Sequence, residues 1–256
     1  GANGNSSTTG NWGGTPIPSS TSLTTSADVA TFNALIANTW GNSALNPIVI
    51  DSTTQNMGGL TFTGATDNYF IGSTGGNSLL LSSGGTIQIA SGLTSTNAVE
   101  TINAPLVIEG AAGTYSFTNN SANGTGAGAG TLDIGGGITG GAAGATVLTL
   151  SGSNTNANTI SGNIANGSAT SLGITKSGAG LWVLSGANSF TGADSVLAGT
   201  LSISTTSALG SGTSLALGNA SSPSNSAVLQ YTGGTGTLAQ NIVTASGDTA
   251  KISSTG

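Results

Sequence analysis

Short apolar runs, each closed off by polar or glycine-rich residues, recur along the whole chain: Ile48-Val49-Ile50, Leu60-Thr61-Phe62, Ile87-Gln88-Ile89, Leu106-Val107-Ile108, Val147 to Leu150, Leu201-Ser202-Ile203 and Leu215-Ala216-Leu217. They arrive every ~10–16 residues with no helical stretch between them, the rhythm of strands punctuated by turns. Leu148 and Leu150, Leu201 and Ile203, and Leu215 and Leu217 stand at i and i+2, so each pair points to one face while Thr149, Ser202 and Ala216 point to the other. One face is expected to be buried and the other wet. The pattern predicts an all-β chain, a stacked or coiled β-solenoid in which each coil lays its inward side chains on those of the coil below.

Local signals refine this picture. Asp28 could N-cap a short helix carrying Val29, Phe32, Leu35 and Ile36, but Ala30 and Phe32 also share a strand face, and the strand reading is favoured. Gly135-Gly136-Gly137, Gly140-Gly141 and Gly233-Gly234 are expected at corners, where positive φ costs glycine little. Gly124 to Gly130 is expected to be a loop. Residues 1–46 read as a cap and lead-in, and 47–256 as the coils themselves. At ~20–25 residues per coil, and ~4.8 Å per layer, the chain would make roughly ten to thirteen coils and a rod on the order of 50–60 Å long. The ending Lys251 to Gly256 shows no capping sequence, so the coil is expected to continue beyond 256 or to stack on a neighbour.

Composition narrows the function. Only 4% of the 256 residues are charged, against about 25% in ordinary domains, and 44 are glycine. With Lys176 and Lys251 as the sole bases and a net charge of −6, nucleic acid is excluded as a partner, because phosphate binding needs clustered Lys and Arg. Cysteine is absent, which suits export through an oxidising compartment and leaves stability to backbone pairing and the buried seam. No apolar run reaches the roughly 18 residues of a membrane-spanning helix, so direct membrane insertion is not expected. Without an initial Met or a positively charged leader, the chain reads as a mature or excised piece.

The stretch Gly173 to Ile203, GITKSGAGLWVLSGANSFTGADSVLAGTLSI, resembles the passenger-associated repeat of autotransporter-type bacterial surface proteins, close in form to G-L-T-K-x-G-x-G-T-L-x-L-x-G-x-N-x-Y-T-G-x-T-x-V-x-x-G-T-L. The matching positions are Thr175, Lys176, Gly178, Gly180, Leu184, Gly186, Asn188, Thr191, Gly192, Val196, Gly199, Thr200 and Leu201. Trp182-Val183 stands where Thr and Leu are commoner, Phe190 replaces Tyr, and Asp194 sits where Thr is frequent. Weaker echoes occur near Trp12, at Asp28 to Phe32, at Leu60 to Phe62 and at Leu148 to Gly152. The resemblance implies a right-handed parallel β-helix on the outer surface of a bacterium or secreted from it, with adhesive or scaffold roles. From strand spacing, Leu181, Val183, Leu201 and Ile203 would fill the seam; the repeat glycines mark turns; Asn188 would close a turn or join a ladder between coils.

Chemistry has few candidates. Glu100 and Glu109 could face each other across a coil as the carboxylate pair of a polysaccharide-cleaving β-helix, against which stands plain surface solvation. Serine chemistry lacks a histidine and a nucleophile elbow, and Lys176 reads as a surface lysine of the repeat. Calcium would want several carboxylates in one loop; Asp67 and Asp248 are isolated. Trp12, Trp40, Trp182, Tyr69, Tyr115 and Tyr231 read as core plugs rather than a sugar platform, although Trp182 could face outward. The N-x-S/T triplets at Asn5, Asn119, Asn123, Asn166 and Asn219 are expected by chance. The sequence thus predicts no catalytic, metal or cofactor site, and a non-enzymatic structural or adhesive protein. Its expected partners are further copies of itself, as an oligomer or filament, or cell-surface and matrix glycans.

Overall fold

The computed structural model describes residues 26–33, 41–51, 53, 55–63, 68–93, 98–123, 130–221, 226–245 and 249–255. The strands of the first half are β1 (Val29–Phe32), β2 (Asn56–Phe62), β3 (Phe70–Ile71), β4 (Leu79–Ile89), β5 (Val99–Ile102), β6 (Leu106–Ile108), β7 (Thr114–Asn119), β8 (Thr131–Ile134), β9 (Ile138–Gly140) and β10 (Ala145–Gly152). There follow β11 (Asn158–Ile160), β12 (Ile164–Ala165), β13 (Ser171–Lys176), β14 (Leu181–Leu184), β15 (Asp194–Val196), β16 (Gly199–Ile203), β17 (Ser214–Leu217), β18 (Ser226–Tyr231), β19 (Asn241–Thr244) and β20 (Thr249–Ser254). A 3₁₀ turn, Thr206–Leu209, stands between β16 and β17.

Every ladder between these strands is parallel. The chain winds over three faces. The first holds β1, the second halves of β2 and β4, then β7, β10, β13, β15, β17 and β19; the second holds β3, β5, β8, β11, β14, β16, β18 and β20. The third holds the first halves of β2 and β4, then β6, β9 and β12, and runs into the first because β2 and β4 bend between them. In β4 the bend falls at Gly84, whose φ of 78° is open to glycine at little cost. This is a parallel β-helix: a solenoid, as the alternation predicts, with the parallel strands that the resemblance implies.

Among the described residues the first face shows nine layers, a stack of about 40 Å at ~4.8 Å per layer. Coils are larger and more uneven than assumed. Ile102 pairs with Ile134, 32 residues on, whereas Leu184 pairs with Ile203, only 19 on. The difference lies chiefly in the number of residues between first-face and second-face strands: eleven separate β7 from β8, and only two separate β15 from β16.

Inward side chains form columns up the axis. On the first face one column runs Leu60, Ile87, Phe117, Leu150, Lys176, Val196, Leu217; on the second, Ile71, Ile102, Ile134, Ile160, Leu184, Ile203. The apolar members are buried, each worth about 1.5–3 kcal/mol of transfer free energy. Asp28 to Phe32 leads into a strand, not a helix, with Ala30 and Phe32 inside.

Four expectations are corrected. Ile48 to Ile50 forms isolated bridges rather than a strand: Ile48 pairs with Ile71, its N–H donating to Phe70 and its carbonyl accepting from Gly72, and Val49 beside it makes a bridge as well. Ser202 is buried rather than wet, a small hydroxyl between the larger Val183 and Gln230 in an outward column. Gly135 to Gly137 do form a corner, but without positive φ; a Cβ at Gly136 would strike the carbonyl of Ala104 one coil away, so close approach is the reason for glycine there. Gly140 lies at the end of β9 rather than in a corner. Of the expected loop at 124–130, residues 124–129 fall outside the described residues.

Candidate functional site

The repeat segment is one stretch of this coil, β13 to β16, and its residues hold successive layers together. Leu172, Ile174 and Lys176 share the inward face of β13. Lys176, expected on the surface, is wholly buried: its ammonium donates to the carbonyls of Ser177 (2.8 Å), Gly178 (2.8 Å) and Ala198 (3.0 Å). Burial pushes it down to about 7, while its three acceptors use all three protons that only the charged form carries. The ammonium caps a corner in two layers at once.

In β14 the inward residues are Trp182 and Leu184, not Leu181 and Val183, which lie half-buried on the outside. Trp182 therefore does not face solvent. It stacks in register between Asn158 and Leu201, and its indole N–H donates to the carbonyl of Ser151 at 3.0 Å. Leu201, Ile203, Val196 and Phe190 are buried, as seam residues should be.

Asn188 bridges layers: its Oδ1 accepts the N–H of Ile164 at 2.8 Å, and its Nδ2 donates to the carbonyl of Ala208 at 2.6 Å. Thr191 is tied by its N–H and hydroxyl to the side chain of Asn166 in the preceding coil, and Thr175 accepts from Ser195 on the outer surface at 3.0 Å. Gly178 and Gly199 turn with positive φ of 70° and 65°. At Gly180, Gly186 and Gly192 a Cβ would press on backbone of the adjacent coil. Thr200 and Gly199, with Gly178, Ala179 and Ala198, line a shallow uncharged groove over the Lys176 corner.

Beyond the repeat, the structure shows an internal amide network that the sequence pattern did not predict. Asn119 donates to Asn158 (2.5 Å) and accepts from Ser121; Asn154 donates to Ser121 (2.9 Å); Asn158 donates to the carbonyl of Leu181 (3.0 Å). These side chains are buried at the corner between first and second faces. The recurrent Asn at strand ends is the signal that could have found it.

The candidate carboxylate pair does not form. Glu100 lies inside the second face, accepting the N–H of Tyr69 at 2.9 Å, while Glu109 follows β6 on the third and accepts from Asn56 at 2.5 Å. Burial raises Glu109 and Asp133 above the ordinary carboxylate range, the bond from Asn56 opposing it at Glu109. Asn56 in turn accepts from Ser82, whose hydroxyl accepts the N–H of Ser26. Among the described residues no group of His, Cys, Asp and Glu could hold a metal; Asp67 and Asp248 lie outside them.

Of the aromatic residues, Tyr69 packs against Phe32 (centroids 4.9 Å) and Phe62, and Tyr115 is buried with its hydroxyl accepting the N–H of Gly110. Tyr231 is half-buried; Trp12 and Trp40 lie outside the described residues. Of the glycosylation triplets, Asn119 is buried and Asn166 engaged, Asn123 is exposed, Asn219 half-buried, and Asn5 lies outside. The described surface of the repeat is neutral and hydroxyl-rich, with no nucleophile set against a base.

Residues 174–203 match the family described as the passenger-associated-transport-repeat, within the span 173–203 that carries the resemblance. The match covers 30 of 256 residues. No curated protein and no solved structure matches the chain.

Proposed function

We propose that this chain, with a passenger-associated-transport repeat wound into a parallel β-helix, is part of an autotransporter passenger: a non-enzymatic structural or adhesive rod, secreted from or displayed on a bacterium. The observation that carries the reading is that the matched repeat, β13 to β16, is continuous in register with the coils on either side. Its layers are locked by backbone ladders and inward amides rather than shaped around a cleft, and the few carboxylates are dispersed. No helix among the described residues is long and apolar enough to cross a membrane. Antibody against this chain, applied to intact and to permeabilised cells of the source bacterium, tests display. Labelling of intact cells, or release into the medium, is expected; labelling only after permeabilisation overturns it. Neutral glycans of a cell surface or matrix are the ligand class that suits an uncharged hydroxyl-rich surface, and a glycan array reads that directly.

A second reading, a self-assembling fibre subunit, is favoured by neutral outer columns in which Thr118 pairs with Ser151 and Thr175 with Ser195, sides that can associate without ionic repulsion. Electron microscopy of the purified chain separates filaments, which support it, from dispersed rods, which do not.

A further inference from the structure

Asp194 opens β15 with its side chain turned into the coil. It continues an inward column of Tyr115, Leu148 and Ile174, and Leu215 lies over it in register. Only 3% of the residue is exposed. Its Oδ1 accepts the N–H of Ile174 at 3.0 Å, and its Oδ2, buried as well, has no hydrogen-bond partner. An ionised carboxylate between two aliphatic side chains needs several donors or a counter-charge, and one backbone N–H falls far short. The neutral acid leaves one hydroxyl unpaired, a much smaller cost.

The packed elements supply no counter-charge. Lys176 on β13 is the inward cation of the neighbouring layer, but its ammonium is committed to three carbonyls at the far end of that strand. β16 and β17 carry no titratable side chain, and β18 carries only the half-buried Tyr231. In keeping with this, burial pushes the Asp194 carboxyl up to about 7, with the Ile174 N–H opposing it.

We infer that the folded coil holds Asp194 as the neutral acid, so that closing the layers β13, β15 and β17 takes up a proton and the fold carries a proton-dependent latch. Acid tightens these layers. Ionisation places a charge between Ile174 and Leu215 and loosens the ladder on both sides.

The test is thermal melting of the wild type and of Asp194→Asn, which keeps the acceptor for Ile174, between about pH 5 and about pH 8, bracketing the ordinary and raised carboxylate ranges. The wild type is expected to lose several degrees of Tm over that interval, and Asp194→Asn to lose less and to melt above it at the upper end. Parallel curves overturn the latch. Should the variant fail to fold, NMR of wild-type protein labelled at the Asp carboxyl carbons decides alone: one carboxyl titrating near neutrality supports the latch, whereas all of them titrating below about pH 5 refutes it.

Discussion

Lys176 and Ala198 are 22 residues apart in the chain, yet the ammonium of one donates to the carbonyl of the other at 3.0 Å, fastening one layer of the coil to the next. With its bonds to Ser177 and Gly178, this makes the lysine a cap for the corner that follows β13.

Lys176→Met keeps the length and removes the charge. Two effects oppose: the buried ammonium is relieved, and three carbonyls lose a charged donor. Bonds to charged groups are worth about 1.5–3 kcal/mol each, so the loss prevails and a net destabilisation of about 2–4 kcal/mol is expected, read from the urea midpoint. A variant as stable as wild type would mean that burying the charge costs as much as the cap contributes.

Trp182→Ala should remove about 3–5 kcal/mol, because the indole is fully buried between Asn158 and Leu201 and its N–H is satisfied inside. Leu181→Ala, on the outer side of the same strand, should cost much less. Equal costs in denaturant melts would contradict the orientation of β14.

That orientation shows where the sequence pattern stops being informative. In Leu148-Thr149-Leu150 and Leu215-Ala216-Leu217 a small or polar residue breaks the apolar pattern and reveals which side is inside. Leu181-Trp182-Val183-Leu184 is apolar throughout and carries no phase; register against Leu201 and Ile203 sets it instead. The inward place of Lys176 was legible, since Leu172, Ile174 and Lys176 alternate on one side, but the usual exposure of lysine outweighed the spacing. Coil number was not legible, because the excursions between faces vary while the strands stay short. The placing of Glu100 and Glu109 on different faces was not legible either, because it depends on which strand each belongs to and not on their spacing.

Glycine substitutions should separate crowded corners from open ones. At Gly162 a Cβ would collide with the carbonyl of Gly136, so Gly162→Ala should cost about 3 kcal/mol, in the range of overpacked cores. A methyl added at Gly234 meets nothing within 4 Å, and Gly234→Ala should stay within about 0.5 kcal/mol of wild type. Melting temperatures of the two variants check the contrast.

Acid should strengthen this protein over a range where many proteins begin to weaken. Burial raises Glu109 and Asp133 in the folded state, and Asp194 to about 7. A carboxyl raised above its unfolded value contributes stability that is fully present below the unfolded value and is lost as pH rises through the folded one. Circular-dichroism melts should therefore give a higher Tm near pH 4.5 than near pH 7, and the reverse order would show that these groups are paired in solution. Lys176, lowered to about 7, acts oppositely only above neutrality.

The uneven coil lengths have a consequence of their own. A layer that spends 19 residues and one that spends 32 climb by the same single strand spacing, and the difference falls mostly between the strands of the first face and those of the second, which share one edge of the rod: eleven residues separate β7 from β8 and two separate β15 from β16. Height is thus decoupled from chain length. Insertions along that edge can lengthen or redecorate what the rod presents to its surroundings without changing how far it reaches.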